Sequence, residues 1–172
     1  MENETMRYTV AVLVLNKFGV LNRVTSMFRR RRFNISALTV SETESAEYSR
    51  ITVRFDGDEL NKEQLINQLY KLPDVCYIRE LSEDNSVSSE LMLIKMENNT
   101  ETRDDILTAA SAFDAKTVEY SRDAMVFELT GSSRKIDDFI DLMRDYTILE
   151  ICRTGIVSLE KGSTTIRKVT NL

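Results

Sequence analysis

The stretch TVAVLVLNKFGVLNRVTSMFRRRRFNI, residues 9–35, decides how the rest of the chain is read. An apolar run stops at Asn16 and a lone glycine follows at Gly19. Apolar residues then recur at Val20, Val24, Met27 and Phe28, one stripe on a 3.6-residue period. The pattern predicts a strand, a glycine turn and a helix. The first N–H groups of a helix have no internal partner and lie at the positive end of its dipole, so such a turn can hold a small carboxylate. Neither GxGxxG nor GxxxxGK[ST] occurs, so nothing predicts a nucleotide site.

Working outward, the periodicities predict a strand at Met6–Leu15, a helix at Val20–Arg32, strands at Asn34–Ser41 and Tyr48–Phe55, a helix at Asn61–Leu72 and a strand at Val75–Leu81. Ile51, Val53 and Phe55 alternate with Thr52 and Arg54, as in a strand buried on one side. The second helix has Asn61 and Gln64 at capping-box spacing and ends before Pro73. A polar run, Ser82 to Ser89, reads as a linker. The same order then repeats: strand Leu91–Met96, helix Arg103–Phe113, strands Ala115–Tyr120 and Ala124–Thr130, helix Ser133–Tyr146, strand Ile148–Leu159. Thr102 and Asp105 offer a second capping-box spacing. The expected fold class is α+β, two consecutive ferredoxin-like βαββαβ sandwiches spanning 1–81 and 90–172, joined by a linker at 82–89. The second copy has no glycine turn after its first strand, so a ligand pocket belongs to the first.

Both Val10–Leu15 and Leu91–Ile94 are apolar on two faces, whereas ferredoxin-like helices cover only one. The other face needs cover from another domain or chain, although Arg50 and Arg54 fall on that open face in the first unit. Units this small bury only about 60% of their unfolded surface, which also favours self-association or a partner.

Composition removes several function classes. The chain has 172 residues, 42% of them hydrophobic, and a net charge of −5, which argues against a general nucleic-acid binder. An RNA-recognition motif shares the βαββαβ order, but TVAVLVL carries no paired aromatics and YSRITVRF lacks the glycine-aromatic signature. The longest apolar run is far too short to span a bilayer and no signal peptide precedes it, so a cytoplasmic location is expected. There is no histidine, which removes the commonest general base and metal ligand. Cys76 and Cys152 have no CxxC spacing and read as buried thiols. No catalytic or metal-ligating set emerges.

Four signals have two readings each. Asn16 either holds a ligand's ammonium group through its side-chain oxygen or caps the turn before the helix. Gly19 either admits a ligand close to the backbone or is an ordinary turn glycine. Asn34 opens the second strand as a turn former, yet with Asn16 it would lie at one edge of the same sheet. The run Arg29–Arg32 reads as a cationic last turn complementing the helix dipole, against the phosphate or RNA alternative. Asp137, Asp138 and Asp141 read as a solvated face.

The segment NKFGVLNRVTSMFRRRRFNISALTV resembles the amino-terminal ACT domain of the acetolactate (acetohydroxyacid) synthase small regulatory subunit. The likeness extends to LPDVCYIREL, to SELMLIKM and to FELTGSSRKIDDFIDLMRDYTILEICRTGIVSLEKG. It implies an ACT domain at 1–81 that binds an effector and dimerises, and a small-subunit domain at 90–172. It further implies a non-catalytic protein that activates a thiamine-diphosphate-dependent catalytic subunit and confers feedback inhibition, usually by valine, in branched-chain amino acid biosynthesis. Thiamine diphosphate, Mg and FAD are then expected in the partner, with no cofactor in this chain. The resemblance assigns effector binding to Asn16, Gly19, Val20 and Leu21, and to Asn34 and Ile35 of the neighbouring chain in a homodimer. Phe18, Leu15 and Arg32 depart from the family pattern, at positions usually held by proline or a small residue, an acid and glycine. A stand-alone ACT-type amino-acid sensor acting on another enzyme or a transcription factor is the alternative, and an enzyme in its own right is a third reading.

Overall fold

The computed structural model describes residues 6–167. They form β1 (Met6–Leu15), α1 (Val20–Arg31), β2 (Asn34–Glu42), β3 (Tyr48–Gly57), α2 (Glu59–Tyr70), β4 (Val75–Leu81), β5 (Ser86–Glu97), α3 (Arg103–Ala112), β6 (Lys116–Tyr120), β7 (Ala124–Gly131), α4 (Ser133–Met143), β8 (Ile148–Arg153) and β9 (Val157–Glu160). Two βαββαβ units result, with antiparallel strand orders β2-β3-β1-β4 and β6-β7-β5-β8. The α+β class and ferredoxin-like repeat follow the strand and helix periods of the sequence.

In the first unit Tyr8, Val10, Val12 and Val14 of β1 meet Val20, Val24, Met27 and Phe28 of α1 and Leu65 and Leu69 of α2 in one buried cluster. Burying each of these side chains stabilises the unit by about 1.5–3 kcal/mol relative to exposure. The exit from α1 uses Arg32 in the left-handed region, φ 57° and ψ 35°. Its N–H bonds back to Arg29 O, and Phe33 N donates to Phe28 O at 3.1 Å. Arginine thus takes the conformation usually given to glycine. At α2 the capping box is formed by Asp58 and Asn61, not by Asn61 and Gln64. Asn61 N donates to Asp58 Oδ1 at 2.7 Å and Asp58 N to Asn61 Oδ1 at 3.1 Å. The helix therefore starts two residues earlier than expected. Thr102 precedes α3 without a side-chain cap, so the second expected box does not form.

The compact units divide the chain differently from the 1–81, 82–89 and 90–172 scheme. Residues through Val87 group with those from Val157 onward, and Ser88–Ile156 form the other unit. The expected strand Ile148–Leu159 is broken: Gly155 takes φ 75° and β9 pairs with β5. Ser86 already lies in β5, so the polar run is partly strand. The segment after β9 covers the face of the first sheet that the helices leave open. Ile166 joins Ala11, Leu13 and Leu81 in a buried cluster edged by Tyr48. Arg50 Nη2 donates to Ser158 O at 2.8 Å and lies 3.5 Å from Glu160 Oε2. Arg167 sits 4.6 Å from the centre of the Tyr48 ring and pairs with Glu44 at 3.3 Å. Cover for that face comes from this chain's own later residues.

In the second unit Met92, Ile94 and Met96 pack on Ile106, Ala110, Ile136, Phe139 and Met143. The opposite side of β5 is mixed: Leu93 is exposed and Lys95 lies 3.9 Å from Glu150. Cys152 is exposed and Cys76 only partly buried, so the expectation of two buried thiols fails. Both occupy strands near sheet margins, β8 and β4, where less of each residue is covered. Among the described residues no helix is long and apolar enough to cross a membrane.

Candidate functional site: the glycine turn before the first helix

The turn from β1 to α1 is stitched to the β2–β3 turn. Asn16 N donates to Glu47 O at 2.8 Å, and its side-chain Nδ2 donates to Ala46 O at 3.0 Å and Glu42 Oε1 at 3.2 Å. Asn16 therefore does not cap α1. Gly19 occupies the N-cap position with φ 81° and ψ −2°, and having no side chain it caps nothing. The first turn contains no acidic residue. Among the described residues the N–H groups of Leu21 and Asn22 meet no acceptor. The outcome is an open helix N-terminus whose dipole is unopposed locally. Both side-chain bonds of Asn16 use the amide nitrogen, so its oxygen remains an acceptor.

Positive φ at Gly19 fits the need for glycine there. A Cβ at this position would meet Arg23 Nη1 at 3.7 Å, an ordinary contact, so backbone conformation rather than crowding restricts the position. Arg23 itself pairs with Asp74 at 2.5 Å. Phe18 is fully exposed and does not plug the turn. Val20 is buried in the core and Leu21 is partly exposed, so the two apolar residues after the glycine have different roles.

Asn34 and Ile35 do not share this location. Asn34 pairs with Asp56, and Asp56 pairs with Arg7, nine residues before Asn16 on β1. At about 3.3 Å per residue, the two asparagines are about 30 Å apart along the sheet. Placing both at one edge of the same sheet, as the sequence suggested, is incorrect, because β2 and β1 run parallel with β3 between them. Asn34 is exposed at the start of edge strand β2, while Ile35 packs partly on the core. One chain supplies Asn16, Gly19 and Leu21 together and holds Asn34 and Ile35 at the far end.

Sequence reasoning missed Glu42, Ala46 and Glu47, which fix the Asn16 turn from 26 to 31 positions away. No local pattern announces such contacts. It also missed the polar centre of the second unit. Glu90, with its side chain 1% exposed, accepts from Arg153 Nε at 2.6 Å, Arg153 Nη2 at 3.1 Å and Ser133 Oγ at 2.8 Å. Asp137, read as part of a solvated face, accepts from Arg153 Nη1 at 2.7 Å. The Glu90 bond, opposed by burial and aided by Asp137, raises the Arg153 pKa.

A third cluster lies on the first unit, where Lys62 Nζ meets Glu59 at 2.6 Å and Glu80 at 2.9 Å while Tyr8 Oη donates to Glu59 at 3.2 Å. The hydrogen bond from Lys62 holds Glu59 below its ordinary carboxylate range. The bond to Glu59 pushes Lys62 up, and desolvation pushes Tyr8 up. Charge pairing accounts for the shifts of Glu59 and Lys62, and burial leads that of Tyr8, in a partly buried network.

Residues 10–77 match the family model described as the AHAS small subunit-like ACT domain, and residues 89–162 match that of the small subunit of acetolactate synthase. A protein of Archaeoglobus fulgidus named "Probable acetolactate synthase small subunit" is 46% identical over 92% of this chain and 99% of its own length. That of Bacillus subtilis is 39% identical over 92% of each chain. The crystal structure of the acetolactate synthase small subunit from Thermotoga maritima superimposes with a TM-score of 0.84 at 35% identity, covering 92% of this chain and 99% of that one. With both halves matched and relatives similar along nearly their whole lengths, the chain belongs to the acetolactate synthase small-subunit family.

Proposed function

We propose that this chain is a non-catalytic regulatory subunit that activates a thiamine-diphosphate-dependent acetolactate synthase catalytic subunit and makes it sensitive to valine. The observation that carries the reading is the open N-terminus of α1 behind Gly19, with Leu21 and Asn22 N–H groups unsatisfied among the described residues and Asn16 at the start of the same turn. A free amino acid matches that arrangement. Its carboxylate rests on the helix N–H groups, its ammonium meets the Asn16 amide oxygen, and its aliphatic group lies against Leu21. Val20 anchors the helix start from within the core.

The remaining contacts need a second chain. β2 is an edge strand, and a two-fold copy pairing antiparallel along it reverses the ends of the sheet. Asn34 of the partner subunit and Ile35 of the partner subunit then approach the Gly19 end, and each dimer closes two pockets. Thiamine diphosphate, Mg and FAD belong to the catalytic partner, and the complex is cytoplasmic. Inhibition follows when the effector binds one arrangement of the complex better than another, with couplings of about 1–3 kcal/mol.

Titration calorimetry of the purified chain with valine, leucine and isoleucine tests the effector. The expected result is saturable valine binding with two sites per dimer. Alongside it, acetolactate formation by the catalytic subunit is expected to rise on adding the chain and fall again with valine. No heat with any of the three amino acids overturns the effector site, and unchanged acetolactate formation overturns the regulatory role.

A further inference from the structure

We propose that the arginine-rich exit of α1, together with Lys71, is the docking surface for an acidic face of the catalytic subunit. The inference rests on the regulatory-subunit reading above and adds to it a surface and a binding chemistry. Arg29, Arg30, Arg31, Arg32 and Lys71 are all exposed, and among the described residues none of the five forms an ion pair. Elsewhere in the first unit Arg7, Arg23, Arg50, Lys62 and Arg167 are each matched with a carboxylate. Concentrating five cations here leaves 18 cations to face all 28 acids in the rest of the chain. An acidic protein therefore carries one strongly cationic patch.

The setting of the patch favours an extended acidic protein surface. A cavity of about 430 Å³ lined by Met27, Arg30, Arg31, Gln68, Lys71 and Leu72 lies within it, with apolar side chains alongside the charges. The neighbouring surface of α2 presents the neutral amides of Gln64, Asn67 and Gln68, and Glu63 lies two turns before Lys71. Among the described residues neither Glu63 nor any other acid forms an ion pair with the patch from that side. The patch also lies at the carbonyl end of α1, where the unpaired backbone groups are acceptors, so it lacks the N–H cradle that compact phosphates use. The cavity is lined by no aromatic ring on which a nucleic-acid base could stack. Carboxylates spread over a protein face can meet guanidinium forks one at a time, and Met27 and Leu72 suit the apolar residues between them. Arg32 adds a structural argument, since its left-handed conformation keeps a charge where glycine would be less strained.

The test measures association of the full-length chain with its catalytic subunit, by surface-immobilised binding and by activation of acetolactate formation, at low and high salt. Arg30→Gln/Arg31→Gln and Arg30→Glu/Arg31→Glu variants are compared with wild type, with circular dichroism and valine calorimetry as controls on the fold and the effector site. Wild-type association is expected to slow steeply as salt rises. At low salt the neutralised variant loses about tenfold in association rate and the reversed variant more, while valine binding by the isolated chain stays unchanged. A graded dependence on charge is not expected of a merely structural role. A folded, valine-binding reversed variant that associates as fast as wild type overturns the docking surface. So does unchanged association accompanied by loss of affinity for tripolyphosphate, which assigns the patch to a small anion. If wild type itself fails to associate or activate, the regulatory-subunit reading falls, and the docking surface with it.

Discussion

Substituting Gly19→Asp puts a carboxylate at the helix start where the effector's own carboxylate is proposed to bind. Space is available, since the new Cβ would lie 3.7 Å from Arg23 Nη1. The cost comes from φ +81°, about 1–2 kcal/mol for a side-chain-bearing residue, with aspartate at the low end because it tolerates this region. A negative charge at the positive end of α1 returns about 0.3–1 kcal/mol. The net loss of stability is therefore about 1 kcal/mol, a fall of about 2–4 °C in Tm for a chain of this size. Effector coupling of about 1–3 kcal/mol corresponds to 5–150-fold in affinity, and removing the carboxylate site is expected to raise the valine concentration for half-inhibition at least tenfold. Activation of the catalytic subunit should be retained. Acetolactate formation against valine, with a thermal melt of each variant, measures both effects. Gly19→Ala carries slightly more backbone strain without the charge and is expected to keep more sensitivity. A folded Gly19→Asp protein inhibited as strongly as wild type refutes the reasoning. Equal loss in Gly19→Ala refutes the charge argument.

Arg153→Met leaves the buried Glu90 carboxylate without its guanidinium and is expected to cost about 3–5 kcal/mol in urea unfolding. The double variant Glu90→Leu/Arg153→Met should recover most of it, and a single-variant loss below about 1 kcal/mol would show that the pair is not a structural clamp. Glu59 sits below its ordinary pKa of 4.5, so its contribution is fully present above that pH and is lost as pH falls through the depressed value. Glu59→Gln should therefore weaken the chain at neutral pH and flatten the decline of the urea midpoint below pH 4.5; an acid limb identical to wild type argues against it. Ile166→Ala opens the cluster with Ala11, Leu13 and Leu81 and should cost about 2 kcal/mol, measured the same way. A change within error would mean that the later residues do not stabilise the first sheet.

The helices and most strands were legible because their apolar periods match what they bury: β1 supplies Val10, Val12 and Val14 to one face and Ala11 and Leu13 to the other. The end of the second unit was not. Ile148–Leu159 reads as a continuous apolar-rich segment, and the one local warning was Gly155, whose positive φ breaks the strand before β9. The α2 start was misplaced because Asp58 and Asn61 form the box with an asparagine where glutamate or glutamine is usual. At the candidate site, Gly19 and the bare helix start could be read from adjacent residues, whereas the Asn16 bonds to Glu42 and Ala46 depend on how two hairpins meet. The separation of about 30 Å between Asn16 and Asn34 needed the strand register, since order along the chain alone makes them look like neighbours.

That separation has a genetic consequence under the proposed dimer. In a mixed pair made from an Asn16 variant and an Asn34 variant, one crevice inherits both lesions and the other inherits neither. Two alleles that are each deaf to the amino acid would together restore one receptor in every mixed pair. Complementation between point mutants in the same gene is thus the expected inheritance pattern of a pocket that neither copy owns alone.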